Sequence, residues 1–215
     1  MKLFFHQISN TNDIHFEKAI NIYNDSFPAN ERQPLAIIKK RITEEKSKLF
    51  VGLLNNEVIG MALLWDFSDL EFVLLDYMAI AENYRNKKFG TDLFKFLTDN
   101  NYNYNKYMII EVENYLFGIN TEQRKKRINF YIRNGAYILK DIHYMLPSLD
   151  NTLPTEMILM MSPKYKKNNM EKMEIERLIK RLYVEVYGKT EEDNLLISIL
   201  KEIPDKITFE NKVII

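Results

Sequence analysis

The stretch YMAIAENYRNKKFGTDLF, residues 77–94, joins an apolar strand to an amphipathic helix through a short polar turn. The apolar run over 71–80 is almost continuous, which predicts a strand buried on both faces. After the turn, Leu93, Phe94 and Leu97 recur at helical spacing and predict a helix with one buried face. A strand that leads straight into a helix indicates a mixed α/β chain.

The turn itself suits an anionic ligand. A helix N-terminus exposes unpaired backbone N–H groups and the positive end of the helix dipole. Gly90 lets the backbone approach a ligand because it has no Cβ, and Arg85, Lys87 and Lys88 add positive charge at the same place. The alternative interpretation is an ordinary helix start with a solvated basic turn.

Outward from this stretch, apolar spacing and turn residues predict the remaining elements. A hairpin turns at Asn55–Asn56, and Gly135 ends a basic helix over 121–134. The other predicted elements are a strand at 2–8, a helix from Asn12 or Asp13 to about Phe27 with apolar positions from Ile14, a short helix with Leu35, Ile38 and Ile42, and strands at 106–114, 136–146 and 155–163.

The fold class is therefore α/β, an α+β arrangement with a mostly antiparallel mixed sheet flanked by helices. We expect one domain over residues 1–163. A charged segment follows, and residues 164–215 are predicted to form a helical extension, with a helix over 171–187, a capping box at Thr190 and Asp193, a last helix to about Ile203 and a short closing strand.

Composition excludes several classes of protein. The 215 residues carry 30 basic and 30 acidic side chains, so the basic excess of a general nucleic-acid binder is missing. There is no cysteine, which excludes disulfides, thiolate catalysis and Cys-ligated metals, and three scattered histidines predict no metal site. We expect no signal peptide and no membrane span, and predict a cytoplasmic protein.

Two motifs together resemble the Gcn5-related N-acetyltransferase (GNAT) family. That family carries an Arg/Gln-x-x-Gly-x-Gly/Ala turn after its fourth strand; this chain has Arg85 and Gly90 but Lys88 in place of the first glycine. The segment from Asn129 through Tyr131 to Gly135 resembles a second family motif. Bacterial members also carry the patterns seen here as Phe27-Pro28, Glu31-Arg32-Gln33-Pro34 and Glu122 through Arg127 to Tyr131.

The resemblance implies a GNAT-like acyl-CoA N-acyltransferase fold with a strongly twisted sheet, and acetyl-CoA as co-substrate without a metal. It also implies that the backbone of Met78, Ala79 and Ile80 pairs with the pantetheine arm. The residues whose amides would hold the pyrophosphate are Arg85, Asn86, Lys87, Lys88, Phe89, Gly90 and Thr91. Asn129 and Arg133 are implied as further contacts with the CoA phosphates.

The reaction implied is direct acetyl transfer to a primary amine of a small molecule or peptide, of the EC 2.3.1 type. Tyr131 is the candidate general acid for the CoA thiolate; alternatively it is a core tyrosine. Glu111 and Glu113, which strand alternation places on one face, are candidates for a base acting through water. Alternatively they lie on a solvated strand face or pair with Arg124 and Arg127.

Three residues are predicted on the acceptor side. Asp76 interrupts an apolar strand, and a buried carboxylate needs a partner. It either orients the substrate ammonium or pairs with Arg32 or Arg85. The loop from Phe27 to Pro34 is expected to line the acceptor mouth, with Glu31 and Arg32 selecting the substrate; alternatively it is a charged surface loop.

Two functional alternatives remain open from sequence. Because Lys88 replaces a family glycine, the chain is either an active N-acetyltransferase or a catalytically silent GNAT-like module that binds CoA or a partner. The apolar stripe of the C-terminal helices must also be buried, either on the core or in a homodimer.

Overall fold

The computed structural model describes residues 3–67, 69–102, 106–148, 153–163, 165–166 and 168–215, with the backbone alone at residues 30 and 100–102. The chain forms two compact units, residues 1–106 and 107–215. The boundary predicted between residues 163 and 164 lies inside the second unit and stays a prediction. The predicted linker includes residues 164 and 167, which lie outside the described residues.

The first unit is an antiparallel sheet with three helices. Its elements are β1 (Phe4–Ile8), α1 (Phe16–Ser26), α2 (Leu35–Thr43), β2 (Ser47–Leu54), β3 (Glu57–Asp66), β4 (Phe72–Ile80) and α3 (Phe89–Tyr102). The strands pair in the order β1-β2-β3-β4. One register line across the sheet joins His6 to Val51, Val51 to Met61 and Met61 to Ala79.

Apolar residues are buried on both faces of this sheet. One cluster joins α1 and α2 to β2, β3 and β4 and includes Ile20, Ile38 and Tyr77. A second cluster places Phe89, the first residue of α3, against Leu54 and other strand residues. The predicted hairpin is confirmed, since Asn55 and Asn56 have φ values of 50° and 65°, as a tight two-residue hairpin turn requires.

β4 contains a bulge. Tyr77 pairs with Leu63 and Leu75 pairs with Leu64, so Asp76 is one extra residue on β4 between them. A bulge re-aims the side chains around it. The alternation of β4 therefore changes just before Met78–Ile80, the segment predicted to bind pantetheine.

The second unit is also built on an antiparallel sheet. Its elements are β5 (Tyr107–Glu113), α4 (Thr121–Arg133), β6 (Tyr137–Leu139), β7 (Tyr144–Leu146), β8 (Thr155–Ser162), β9 (Met170–Glu171), α5 (Lys172–Arg181) with a π-helical continuation (Leu182–Val186), α6 (Asn194–Glu202), β10 (Lys206–Ile207) and β11 (Phe209–Glu210). β8 pairs with β5, β6 and β7, and β11 pairs with β6. β9 and β10 form a separate small ribbon.

The C-terminal extension is built into this unit. Its apolar stripe is at most 2% exposed within the single chain, at Ile175, Leu178, Ile179, Leu182 and Val186. Burying that stripe therefore needs no second chain, and the homodimer stays a prediction. None of the helices in the described ranges is both long enough and apolar enough to cross a bilayer.

Three local predictions are wrong. The strand predicted over 136–146 is two short strands, because Asp141, with φ 61°, turns the chain between them. Ile14 precedes α1 and is 86% exposed, since the helix begins only at Phe16. Asp193 is itself the N-cap of α6: its carboxylate accepts the N–H groups of Leu195 and Leu196, so there is no capping box starting at Thr190.

Candidate active site

The turn between β4 and α3 has two residues in the left-handed region. A 3-10 turn over Glu82–Tyr84 is followed by Asn86 with φ 62° and Lys88 with φ 66°. The carbonyl of Lys88 accepts the amide of Asp92 at 3.1 Å, which is the first helical hydrogen bond of α3. Lys88 therefore adopts a conformation that glycine takes easily and lysine rarely does.

This backbone leaves a set of donors open. Among the described residues, none accepts a hydrogen bond from the main-chain amides of residues 86–91. Phe89, Gly90 and Thr91 are the first three residues of α3, whose amides have no partner inside the helix. The N-terminus of α3 thus leaves main-chain donors available for an anion, and binding of the CoA pyrophosphate there stays a prediction.

The cationic side chains of this turn are exposed. Arg85 is held at the end of β4, where its Nε donates to the carbonyl of Ile80 at 3.1 Å. The Lys87 ammonium donates to the carbonyl of Asn83 at 3.0 Å and lies 5.4 Å from the centre of the Tyr84 ring. Two of the three cations are therefore fixed on the turn itself, which concentrates positive charge beside the open amides.

The start of α3 is anchored by the burial of its first residue. Phe89 is 7% exposed and packs with Leu3, Leu54 and Ile59. Ala79 is buried, whereas Met78 and Ile80 are half-buried at the end of β4. Because strand and helix are both packed, the turn between them is held in place, and the pairing of residues 78–80 with pantetheine stays a prediction.

The three residues predicted on the acceptor side, Asp76, Glu31 and Arg32, lie in the first unit. Glu31 is exposed in a 3-10 turn over Ala29–Glu31. Arg32 is folded back onto the end of α1, where its Nη1 donates to the side-chain oxygen of Asn24 at 2.6 Å. Of this pair, Glu31 is exposed on the loop, while Arg32 holds the loop on α1.

Asp76 pairs with Arg41 and not with Arg32 or Arg85. The distance from Arg41 Nη1 to Asp76 Oδ2 is 3.4 Å, and the two side chains are only 9% and 7% exposed. The guanidinium also lies 4.9 Å from the centre of the Trp65 ring. Burial raises the pKa of Asp76 to about 6, although the charge of Arg41 opposes the shift. The predicted contact of Asp76 with a substrate ammonium stays a prediction.

In the second unit, Tyr131 lies near the end of α4 and is 9% exposed. Its ring contacts that of Phe130 with a centroid distance of 5.1 Å. Burial raises the pKa of the Tyr131 phenol to about 12, against a smaller opposing effect of Arg127. The phenol is therefore protonated at neutral pH, as a general acid must be.

The two glutamates of β5 are both paired within the second unit. Glu113 accepts from Arg124 at 2.9 Å on one oxygen and from Arg127 at 2.7 Å on the other, which is the alternative the sequence left open. Glu111 accepts from the hydroxyl of Tyr144 at 2.5 Å and from that of Tyr187. Their role as bases stays a prediction, and their geometry is that of carboxylates held by other side chains.

Asn129 has a structural partner. Its side-chain amide donates to the carbonyl of Ile214 at 2.8 Å and accepts the amide of Ile214 at 2.8 Å, and the residue is 7% exposed. The buried amide is thereby occupied by the C-terminal segment, so the geometry lends no support to a contact with CoA. Arg133, in contrast, is exposed at the end of α4.

Residues 16–115 match the model of the acetyltransferase (GNAT) family. Residues 16–115 belong to the GNAT family. No curated protein matches the chain.

Solved structures extend the GNAT likeness beyond this segment. A Bacteroides thetaiotaomicron protein named for the GNAT family is 23% identical with a TM-score of 0.71, covering 86% of this chain and 98% of its own. An Elizabethkingia anophelis GNAT acetyltransferase with acetyl-CoA bound is 20% identical with a TM-score of 0.51, covering 75% and 98%. An aminoglycoside 6'-N-acetyltransferase complexed with coenzyme A is 12% identical with a TM-score of 0.57, covering 76% and 99%. At these identities the likeness shows the GNAT fold.

The departure from the GNAT turn motif has a structural explanation. Lys88 stands where the family pattern has a glycine, and it keeps the positive φ that such a glycine permits. The main-chain course of the turn is therefore retained although the side chain differs.

Several residues around the site were not signalled by the sequence. Arg41, Tyr144 and Tyr187 are the partners of predicted site residues, but they lie 35, 33 and 76 positions away in the chain. Only Asp76 carried a signal, since a carboxylate in an apolar strand demands a partner without indicating which one.

Proposed function

We propose that this GNAT protein is an acetyl-CoA-dependent N-acetyltransferase that moves an acetyl group directly to a primary amine. The observation that carries the proposal is the set of open amides at residues 86–91, with Arg85, Lys87 and Lys88 exposed beside them. Backbone donors at a helix N-terminus, together with cations, suit a diphosphate. The pantetheine arm would then follow the backbone of Met78–Ile80.

The proposed reaction needs no covalent enzyme intermediate. The amine nitrogen attacks the thioester carbonyl, a C–N bond forms, and the C–S bond breaks to release the CoA thiolate. Tyr131, whose phenol is protonated at neutral pH, would donate a proton to that thiolate. The ammonium proton would leave through water toward Glu111 or Glu113.

Binding of CoA is the first test. We expect calorimetry on the full chain to detect CoA and acetyl-CoA, and Lys88→Glu to weaken both about tenfold, since it replaces a cation by an anion at the open amides. Lys95→Glu makes the same charge change at an exposed position further along α3 and is the matched control. Equal affinities in both variants and the wild type would contradict the proposed phosphate site.

Turnover is the second test and separates the enzyme from the silent module. We expect thiol release from acetyl-CoA with at least one member of a panel of aminoglycosides, polyamines and peptide amines. Tyr131→Phe should lower kcat by about 10²- to 10⁴-fold without changing CoA affinity. Tyr183→Phe is the control, because it also removes a buried phenol, one that donates to the carbonyl of Met145 at 2.5 Å. Tight CoA binding without turnover on any amine would favour the silent module.

A small-molecule amine is the proposed acceptor class. The support is the likeness in fold to an aminoglycoside acetyltransferase and the negative charge of Glu31, an exposed residue of the loop from Phe27 to Pro34, which suits a cationic substrate.

A further inference from the structure

The loop from Phe27 to Pro34, here called the acceptor loop, is tied to β4 by one phenol. The hydroxyl of Tyr77 donates to the carbonyl of Glu31 at 2.9 Å and accepts the amide of Gln33 at 3.2 Å. A single side chain therefore satisfies the main chain on both sides of Arg32. Neither bond involves a side chain of the loop, so the sequence of the loop does not reveal them.

The same phenol is locked by its surroundings. Tyr77 is 7% exposed, and its ring packs against Tyr23 and Phe27 with centroid distances of 4.8 and 5.0 Å. Tyr23 adds a third tie, since its hydroxyl donates to the carbonyl of Gln33 at 3.2 Å. Burial raises the pKa of Tyr77, so the hydroxyl keeps its proton and continues to donate across the pH range of an assay.

The position of Tyr77 on β4 connects the acceptor loop to the strand that is proposed to bind the pantetheine arm. Tyr77 directly precedes Met78–Ile80, the proposed pantetheine segment, and follows the bulge at Asp76. Its side chain lies in the same buried cluster as that of Ala79. Because Tyr77 holds the acceptor loop, the main chain of that loop has a defined position relative to β4, the strand that would carry the acetyl donor.

We infer that Tyr77 is a positioning residue that presets the acceptor loop and thereby sets the affinity for the amine; this inference rests on the proposed function. Tyr77→Phe keeps the ring packing and removes only the hydroxyl. The amide of Gln33 and the carbonyl of Glu31 then lose their partner, and the loop must order itself each time an amine binds. The amine KM should rise about tenfold, while kcat and the affinity for CoA stay at wild-type values.

The experiment measures amine KM and kcat at saturating acetyl-CoA, and the CoA dissociation constant by calorimetry. The variants are Tyr77→Phe, Tyr23→Phe and, as control, Tyr183→Phe, which loses a buried phenol of the second unit that donates to a backbone carbonyl. We expect a large rise in amine KM for Tyr77→Phe, a smaller one for Tyr23→Phe and none for Tyr183→Phe. Exchange of the Gln33 amide with deuterium should accelerate in the first variant.

Three results would overturn the inference. The first is an unchanged amine KM in Tyr77→Phe with the wild type active. The second is a loss of CoA affinity as large as the loss of amine affinity, which would indicate general unfolding of β4. The third applies if Tyr77→Phe does not fold: an unchanged amine KM in Tyr23→Phe would then overturn the inference. Absence of thiol release by the wild type on every amine would instead refute the proposed function.

Discussion

Replacing Lys88 by glycine should stabilise the protein. A residue with a Cβ in the left-handed region costs about 1–2 kcal/mol, and Lys88 has φ 66°. Glycine removes that cost but adds about 0.5–1 kcal/mol of conformational entropy to be lost on folding. The difference between the two is a gain of roughly 0–1.5 kcal/mol in the free energy of unfolding. For a chain of this length, the unfolding midpoint should rise by up to about 6 °C.

The neighbouring lysine is the control for this substitution. Lys87 is not among the residues with positive φ, and its ammonium donates to the carbonyl of Asn83. Lys87→Gly therefore relieves no strain and should lower the free energy of unfolding by about 0.5–1 kcal/mol. Urea unfolding of both variants and the wild type, followed by circular dichroism, measures the difference between two chemically identical changes at adjacent positions.

The same variant separates backbone from side chain in ligand binding. Lys88→Gly keeps the main-chain amides and removes one cation, so the affinity for CoA should fall less than the tenfold expected for Lys88→Glu. Stability and affinity should thus move in opposite directions. The reasoning is refuted if Lys88→Gly is no more stable than Lys87→Gly, because the strain at Lys88 would then be absent.

Three further predictions concern charge and packing. The pKa of His143 is raised, chiefly by its hydrogen bond with Glu156. The protonated imidazole therefore contributes stability below about pH 6.5, and this contribution is lost as pH rises through the folded pKa. We expect His143→Gln to unfold more easily than the wild type at pH 5.5 and equally at pH 8.5. Asp76 has a pKa raised to about 6, so its carboxyl holds a proton in the folded chain that the unfolded chain releases. Wild-type stability relative to Asp76→Asn should therefore fall by about 2 kcal/mol between pH 4 and 7, and loss of the Arg41 pair adds only a constant offset. Asn129→Ala removes two buried hydrogen bonds and should cost about 1–3 kcal/mol in urea unfolding, with faster exchange of the amide to which Asn129 is bonded.

Elements governed by local chemistry could be predicted from the sequence. The helical spacing of Leu93, Phe94 and Leu97 corresponds to three residues with 0% exposure on α3. Gly135 ends α4 with φ 89°, as a glycine after a helix is expected to do. In both cases the residue types themselves determine the conformation, through burial or through the absence of a Cβ.

Contacts between distant residues could not be predicted. The partner of Asn129 is Ile214, at the far end of the chain, and the partner of Asp76 comes from α2. The apolar run 136–146 contains no glycine or proline at its turn, so it is indistinguishable from one long strand until Asp141 is seen in the left-handed region. Hydropathy specifies which residues are buried, but not which of them meet.

This distinction also explains why the proposed phosphate site tolerates an unusual residue. Main-chain amides are identical at every position except proline, so a site made from them depends on backbone course alone. That course requires a positive φ at residue 88, an anchored Phe89 and a free helix start, and all three are present with a lysine at residue 88. The family motif has glycine at this position because glycine adopts a positive φ most easily. The substitution at Lys88 therefore changes the cost of the turn and the local charge, while the donors that would hold a diphosphate stay the same.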